Sequence, residues 1–224
     1  MLPEWPGNDP GEDAMRRIVL MMSVSLDGYI EGPHREIDWH RVDAELHRHF
    51  NEEIRKLGGL LEGRVTHELM AGFWPTADQD PDSPDSTAEM VEFAGIWRDI
   101  PKFVYSRTLE RADWNTTIVR DVVPDEVRAL KERPGGDLGL GGADLAAAFL
   151  RHDLVDEFRV YVHPVIIGRG KPLFPESGTP TGLRLIQSRA FGNGVVLLRY
   201  ECDSAATTTV TVTVTDPDPG TTDA

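Results

Sequence analysis

The sequence predicts an α/β protein with a mostly parallel central sheet, helices on both faces of that sheet and an antiparallel hairpin at the C-terminal side. Three observations favour this fold class. Apolar runs of strand length alternate with segments of helical periodicity along the chain, which is typical of parallel sheets. The run at 158–167 is apolar enough for a strand buried on both faces. Gly192-Asn193-Gly194 separates two segments of strand character, as in a β-hairpin.

The first half of the chain begins with an apolar run and continues with an amphipathic pattern. Apolar residues fall four or three positions apart from Val42 to Leu57, which predicts a helix with one buried face, and Gly58-Gly59 ends it. Leu60-Leu61 predicts a short buried strand that ends at Gly63. The predicted elements are a strand at 17–26, a helix at 42–57, a strand at 60–61, a helix at 64–70, an acidic loop at 75–87 and a helix at 88–99.

The second half repeats this alternation and ends in the hairpin. Pro124 suits the first turn of a helix, where an N–H group would have no partner, and Pro134-Gly135-Gly136 ends that helix. The predicted elements are strands at 102–106 and 116–119, a helix that starts at 124, a strand at 137–140, a helix at 143–152, a strand at 158–167 and hairpin strands at 183–190 and 195–202.

A single domain at 15–203 is expected. The length of 224 residues fits one large domain. Residues 1–14 are predicted to form an acidic, flexible leader, and residues 204–224 a tail rich in Thr, Val, Asp and Pro. Thr and Val alternate at 207–215, so an edge strand is the alternative to a flexible tail there.

The formal net charge of −15 is confined to three segments. Residues 1–13, 76–92 and 201–224 hold every acid in excess and no Lys or Arg, so the remaining chain is balanced and can hold a basic pocket. The sequence shows neither a Lys/Arg cluster nor a stripe of aromatic and basic residues, which argues against a nucleic-acid surface.

Cysteine usage and hydropathy favour a cytoplasmic protein without a membrane span. Cys202 is the single cysteine and cannot form an internal disulfide. The apolar run after Arg16-Arg17 is too short for a signal peptide, and no run reaches the length of a transmembrane helix. A zinc site is not expected either, because Ala71 stands where a second histidine would have to follow His67 on one helical face.

Three predicted strand ends carry glycine or a hydroxyl residue together with features of an anion site. They are 63–66, 106–108 and 139–143. Helix N-termini present free N–H groups that favour phosphate, and the arginines at 64 and 107 offer forked donors. The pattern predicts a dinucleotide that carries an additional phosphate. The common Rossmann fingerprint fits poorly, because Asp144 occupies the place of its third glycine.

Six motifs carry a resemblance to a known family. The chain resembles the dihydrofolate-reductase-like superfamily, and within it most closely the reductase domain of riboflavin biosynthesis and its stand-alone relatives. The resemblance covers about residues 15–203. Its motifs, in order, are MMSVSLDGYI at 21–30, DW at 38–39, GRVTHE at 63–68, SRT at 106–108, LGLGGADL at 138–145 and DEFRVYVHPVIIGRGKPLF at 156–174.

The resemblance implies a three-layer α/β/α fold, a homodimer and NADPH as the cofactor. It places the pyrophosphate and the adenosine phosphates at two strand ends, the 2′-phosphate at a third and the nicotinamide at the first strand. Plain core packing is the alternative for Met22 and Ile30. The implied cofactor-binding residues are Gly63, Arg64, Thr66, Ser106, Arg107, Gly141, Gly142, Ala143, Leu145, Met22, Ser23 and Ile30.

The implied reaction is hydride transfer from NADPH to a C=N carbon of a pyrimidine- or pterin-like heterocycle, a small-molecule substrate. The reaction resembles that of 5-amino-6-(5-phosphoribosylamino)uracil reductase in riboflavin biosynthesis. A dihydrofolate or pterin reductase is one alternative, and a non-catalytic NADPH-binding protein is another. The acidic stretch 76–92 favours a neutral or cationic heterocycle over a phosphate ester. Arg169 and Lys171 are candidates for a substrate phosphate.

The implied chemistry needs a proton donor and a surface that stacks on the heterocycle. The candidate catalytic carboxylates are Asp27, Asp38 and Asp43. The candidate stacking residues are Trp39, Phe73 and Trp74. Four histidines are interpreted as solvated helix residues, namely His40, His47, His49 and His152.

Overall fold

The computed structural model describes residues 15–80, 86–174 and 180–202. The predictions for 1–14, 204–224 and the possible strand at 207–215 lie outside these ranges. The elements in chain order are strand β1 (Ile18–Ser25), strand β2 (Tyr29–Glu31), helix α1 (Ala44–Arg55), strand β3 (Gly59–Gly63), helix α2 (Arg64–Ala71), a 3-10 turn (Trp74–Thr76), helix α3 (Ala88–Asp99), strand β4 (Lys102–Tyr105), strand β5 (Thr116–Val119), helix α4 (Pro124–Lys131), strand β6 (Leu138–Gly141), helix α5 (Ala143–Leu150), strand β7 (Glu157–His163), strand β8 (Lys171–Pro172), strand β9 (Leu183–Ala190) and strand β10 (Val196–Cys202).

Eight strands form one sheet in the order β5-β4-β3-β6-β1-β7-β10-β9. The strands from β5 to β7 are parallel, whereas β10 is antiparallel to both β7 and β9. The predicted fold class is therefore confirmed, with its antiparallel C-terminal hairpin. Because the sheet is mostly parallel, its strand ends gather at one edge, where ligand sites form in such folds.

Helices cover both faces of the sheet. On one face, Val127 of α4 and Phe149 of α5 pack into a core that includes Leu20 and Leu140. On the other face, the wholly buried Trp97 of α3 packs with Leu60 and other residues. A further cluster joins α1 to the hairpin, with Leu46 among its members. The arrangement is the expected three-layer α/β/α fold.

Two details differ from the sequence prediction. Strand β7 ends at His163 rather than at 167, because Pro164 has no N–H to continue the ladder and the Val165 N–H turns back to the His163 carbonyl at 2.8 Å. Strands β2 and β8, which pair as a separate antiparallel ribbon, were not predicted. These strands of three and two residues are too short to give a periodic signal.

The helix N-termini fall into two groups. The Asp43 side chain caps α1 and the Thr87 side chain caps α3. Helix α4 has Pro124 in its first turn and no side-chain cap, and helices α2 and α5 follow Gly63 and Gly142 without one. Their first N–H groups therefore remain available to an anion.

Within the described ranges, no helix is long and apolar enough to cross a bilayer. The same ranges contain no group of three or more His, Cys, Asp or Glu residues placed to hold a metal ion.

Candidate active site

A cleft of about 390 Å³ lies at the carboxyl ends of β3, β4 and β6. The three predicted strand ends, which are separate in sequence, meet in this cleft. The β2–β8 ribbon forms another wall through Glu31 and Lys171. The residues that line the cleft are Ile30, Glu31, Gly63, Arg64, Val65, Thr66, Tyr105, Ser106, Arg107, Thr108, Gly142, Ala143, Asp144, Leu145, Ala148 and Lys171.

Gly142 sets the shape of the cleft at the start of α5. Its backbone has a φ of 91°, in the region that residues with a side chain rarely adopt. A Cβ atom there would lie 2.6 Å from Thr66 Oγ1. The Gly142 N–H points back to Met22 Sδ at 3.2 Å. The turn therefore holds α2, α5 and β1 close together, and a side chain at position 142 would separate them.

Three basic side chains of the cleft are paired with nearby carboxylates. Arg64 contacts Glu68 one helical turn later, with a shortest distance of 2.7 Å. Arg107 contacts Asp121 at 2.7 Å, and Lys171 contacts Asp144 at 2.5 Å. These pairs lie at the surface, where ion pairs are weak. A phosphate can therefore compete with the carboxylates for the three cations.

Ser106 organises the strand end at β4. Its hydroxyl accepts the N–H groups of Thr108 at 3.2 Å and of Leu109 at 2.9 Å. The Arg120 guanidinium donates to the carbonyls of Ser106 and Leu109. The turn that presents Arg107 to the cleft is thus fixed from both sides.

An apolar pocket of about 530 Å³ adjoins the cleft. The two spaces share Ile30, Glu31, Val65 and Thr66 as lining residues, so they lie side by side. Among the described residues lining the pocket, Glu31 is the one carboxylate. The lining residues are Met21, Met22, Ser23, Ile30, Glu31, Ile37, His40, Val42, His47, Phe50, Ile54, Val65, Thr66, Leu69, Met70, Trp74, Met90, Phe93 and Tyr161.

Aromatic rings form one wall of the pocket. The Trp74 ring meets the Phe93 ring edge to face with centroids 4.4 Å apart. His47 lies 5.8 Å from Trp74 and 5.9 Å from Phe93, and its burial lowers the pKa of the imidazole. His47 is therefore neutral at pH 7. This wall can stack on a flat ring.

His40 lines the pocket and stacks on His163, with ring centroids 4.9 Å apart. Burial lowers the pKa of each imidazole to about 4. His163 Nδ1 accepts the Arg41 N–H at 3.0 Å, which places the proton of the neutral ring on Nε2. The Nε2 atoms of both rings are buried and have no hydrogen-bond partner within the described part of the chain.

The chain matches the family model of the RibD C-terminal domain over residues 16–197. It belongs to the RibD C-terminal domain family. It is 36% identical over 186 residues to the uncharacterized protein YyaP of Bacillus subtilis (strain 168), an alignment that covers 83% of this chain and 94% of YyaP.

Solved structures show the same fold. A provisionally named riboflavin biosynthesis protein from Shewanella sp. PV-4 is similar with a TM-score of 0.63 at 23% identity, and the match covers 84% of this chain and 99% of that one. Dihydrofolate reductase from Enterococcus faecalis, complexed with NADP(H) and RAB-propyl, is similar with a TM-score of 0.56 at 13% identity, covering 85% and 98%. At these identities the likeness concerns the fold. The chain is thus a RibD-like reductase domain with dihydrofolate-reductase-like architecture.

In this RibD C-terminal domain, most of the predicted cofactor residues lie together. Met22 and Ser23 line the apolar pocket instead of the cleft. Ile30 lines both, and Gly141 precedes the turn without lining either. The predicted residues that line the cleft are Gly63, Arg64, Thr66, Ser106, Arg107, Gly142, Ala143, Leu145 and Ile30.

The three candidate carboxylates are not brought together, and none of them lines the cleft or the pocket. Asp27 accepts the Gly168 N–H at 2.7 Å, and hydrogen bonds, first from Ser25, lower the pKa of its carboxyl group. Asp43 accepts the Leu46 N–H as the cap of α1, and Asp38 is exposed. These aspartates therefore have backbone-capping or surface positions. The carboxylate that lines both the cleft and the pocket is Glu31.

The aromatic and histidine predictions have mixed outcomes. Trp74 lines the pocket, whereas Phe73 is 48% exposed and Trp39 donates its indole N–H to the Glu36 carbonyl. The interpretation of the histidines as solvated is wrong for His47 and His49, which are buried. His49 Nε2 lies 3.1 Å from the Tyr161 hydroxyl, and that partner, on a distant strand, could not be read from the helix pattern. Of the other two, His152 is exposed and His40 is half-buried.

Several residues of the site were not predicted from the sequence. Glu31 lies on the short ribbon that gave no signal, and Phe93 lies on a helix with an unremarkable pattern. Lys171, a predicted candidate for a substrate phosphate, lines the cleft and not the pocket. The sequence pattern does not indicate that Glu31 pairs with Lys171 in a short antiparallel ribbon, so it could not place either residue at the cleft.

Proposed function

We propose that this protein is an NADPH-dependent reductase that transfers hydride to a C=N carbon of a pyrimidine- or pterin-like heterocycle. The observation that carries the proposal is the position of the cleft directly beside the apolar pocket, with Ile30, Glu31, Val65 and Thr66 lining both. A dinucleotide in the cleft would have its reactive end beside a second space of sufficient size for a heterocycle.

The residues of the cleft fit a phosphorylated dinucleotide. The uncapped starts of α2 and α5 would bind the pyrophosphate. Arg64 and Arg107 would bind the adenosine phosphates, with the 2′-phosphate at Arg107. When bound, NADPH supplies the hydride. The nitrogen of the substrate takes one proton from water, and the Glu31 carboxylate is our candidate to relay it because this side chain lines both spaces.

Titration calorimetry with NADPH and NADH tests this function. We expect the wild-type protein to prefer NADPH by about tenfold or more, worth about 1.4 kcal/mol or more. Arg107→Ala removes that preference, because the guanidinium presents forked donors to the additional phosphate.

Arg128→Ala is the matched control. Arg128 forms a similar exposed pair with Asp125 at 2.8 Å on α4 and does not line the cleft, so the preference persists in this variant. Equal affinity of the wild-type protein for the two cofactors, or no affinity for either, contradicts the proposal.

The alternatives have less support. Folate reductase activity depends on a carboxylate of the Asp38 or Asp43 region facing the substrate, and neither residue lines the pocket. The non-catalytic alternative is tested by NADPH oxidation with 5-amino-6-(5-phosphoribosylamino)uracil, its unphosphorylated form and dihydropterins. Tight NADPH binding without turnover on this panel favours it.

We also propose a homodimer that forms through β9. All eight residues of β9 are exposed, and Leu185 and Ile186 are 51% and 40% exposed. An exposed apolar edge strand favours pairing with another strand. We expect sedimentation equilibrium to give twice the mass of the chain for the wild-type protein and the monomer mass for Leu185→Lys. A wild-type monomer at tens of micromolar overturns the proposal.

A further inference from the structure

We propose that the apolar pocket accepts an uncharged heterocycle without a phosphate group, and that His40 forms a hydrogen bond with a polar atom of that heterocycle. This inference rests on the proposed reductase function and narrows its substrate class.

The first argument is the absence of positive charge from the pocket. Among the described residues that line it, none is Lys or Arg, and most are apolar. The segments outside the described ranges, at 1–14, 81–85, 175–179 and 203–224, contain no Lys or Arg in their sequence. A phosphate that loses water without a cation is strongly disfavoured.

The neighbouring arginines of α1 are engaged elsewhere. Arg48 contacts Glu89 at 2.6 Å, and Arg55 pairs with Glu92. Both glutamates lie on α3, the helix that provides Met90 and Phe93 to the pocket. Hydrogen bonds lower the pKa of both glutamate carboxyl groups, so they stay ionised at neutral pH. These two arginines of α1 are thus paired with carboxylates of α3 and do not line the pocket.

The charge that does line the pocket is negative. Glu31 is shared with the cofactor cleft, and the nearest lysine across the ribbon, Lys171, lines the cleft rather than the pocket and contacts Asp144. A substrate phosphate would meet this carboxylate without compensation. The cleft therefore favours the phosphate groups of a ligand, whereas the pocket favours an uncharged ring.

The second argument is the position of His40. Its Nε2 atom is buried without a hydrogen-bond partner in the described chain, although the ring lines the pocket. Buried polar atoms are nearly always satisfied in proteins. The stacked ring of His163, which is held by the Arg41 N–H, fixes the plane of His40. A polar atom of a heterocycle in the pocket would satisfy Nε2.

The matched probes are 5-amino-6-(ribosylamino)uracil and the same compound with a 5′-phosphate. Their dissociation constants are measured by titration calorimetry against the wild-type protein saturated with NADPH. We expect the unphosphorylated compound to bind about tenfold more tightly or better, and its turnover to show the same order in kcat/KM.

Equal or tighter binding of the phosphorylated compound overturns the inference. Failure of both compounds to bind at millimolar concentration overturns it as well, because the pocket then does not accept this class of ring. A separate measurement of NADPH binding distinguishes these outcomes from a failure of the proposed function. If NADPH binds and the phosphorylated probe is preferred, the reductase proposal stands and the substrate assignment is wrong.

His40→Phe tests the hydrogen bond. The phenyl ring can still stack on His163, but it has no Nε2. We expect KM for the unphosphorylated probe to rise about tenfold, with a smaller change in kcat and an unchanged dissociation constant for NADPH. His40→Gln, which retains a hydrogen-bonding group, is expected to recover part of the affinity.

His67→Phe is the matched control, since it also removes a buried imidazole, and neither His67 nor its contacts Glu62 and Trp97 line the pocket. Its KM for the probe stays close to the wild-type value. An unchanged KM in His40→Phe contradicts the assigned role of His40, and an equal rise in His67→Phe shows that the effect is structural.

Discussion

The cleft and the apolar pocket adjoin each other but are built in different ways. The cleft consists mainly of backbone turns at the ends of β3, β4 and β6, with cations at its surface. The pocket consists of side chains from α1, α2, α3 and β1 that meet by packing. Short motifs determine the cleft, whereas the relative placement of whole helices determines the pocket. We therefore expect single substitutions in the turns to alter the cleft. The pocket should respond instead to changes that affect the burial of the side chains lining it.

Gly142→Ala is expected to have the largest effect. The φ of 91° and the contact of 2.6 Å between the added Cβ and Thr66 Oγ1 both oppose the substitution. We expect a loss of about 3 kcal/mol in the free energy of unfolding, together with a loss of NADPH affinity of about tenfold or more. Urea denaturation and NADPH titration measure these effects.

Gly95→Ala is its control within the same chain. Gly95 lies inside α3, and an added Cβ would meet nothing within 4 Å. Alanine in a helix is favoured over glycine, so we expect a gain of up to about 1 kcal/mol and unchanged NADPH binding. Equal stability of the two variants would refute the special role of the turn at Gly142.

Acidification is the next change, and it is expected to lower the free energy of unfolding through the buried histidines beside the pocket. Burial lowers the pKa of His40 and His163 from 6.5 to about 4, so the unfolded chain binds more protons than the folded one in that window. The stability from the neutral folded rings is complete above pH 6.5 and is lost as the pH falls towards 4. We expect each of the two rings to lower the free energy of unfolding by about 2 kcal/mol between pH 7 and pH 5.

This range lies above the usual pKa of Asp and Glu, so their titration contributes little. Denaturant titrations at each pH measure the slope. His40→Gln should reduce it, whereas substitution of the exposed His152 by Gln should not. A wild-type slope that persists in His40→Gln would assign the acid sensitivity to other groups.

Glu68→Gln is expected to have the smallest effect and sharpens the account of the cleft. The Arg64–Glu68 pair is exposed and spans one helical turn, so its loss changes stability by less than about 0.5 kcal/mol. Because Arg64 is then free to meet a phosphate, NADPH affinity should rise by about two- to threefold. Calorimetry that shows weaker binding would mean that Glu68 positions Arg64 for the cofactor.

The sequence predicted the large sheet and its helices well, because those elements have local signals. Spacing from Val42 to Leu57 identified α1, and glycines marked the ends of β3 and β6. The predicted phosphate residues meet in one cleft, since parallel strands end at a common edge. Local motifs thus located the larger part of the site.

The pocket and the ribbon could not be predicted in this way. The partners of His40 and His49 are His163 and Tyr161, both on β7 and more than 100 positions away, and no periodic pattern connects them. Asp43 illustrates the converse error, because a carboxylate placed near the expected site acts as the cap of α1. Residue type and approximate position do not determine which groups a side chain contacts in the folded protein.

The central strand β1 has a consequence for synthesis of the chain. Both of its neighbours, β6 and β7, begin more than 100 residues later, at Leu138 and Glu157. On the ribosome, β3, β4 and β5 can pair while β1 still has two open edges. Such distant pairings fold slowly and leave apolar strands exposed for longer. We therefore expect the nascent chain to depend on chaperones until β7 has emerged, and a chain truncated before residue 138 to aggregate.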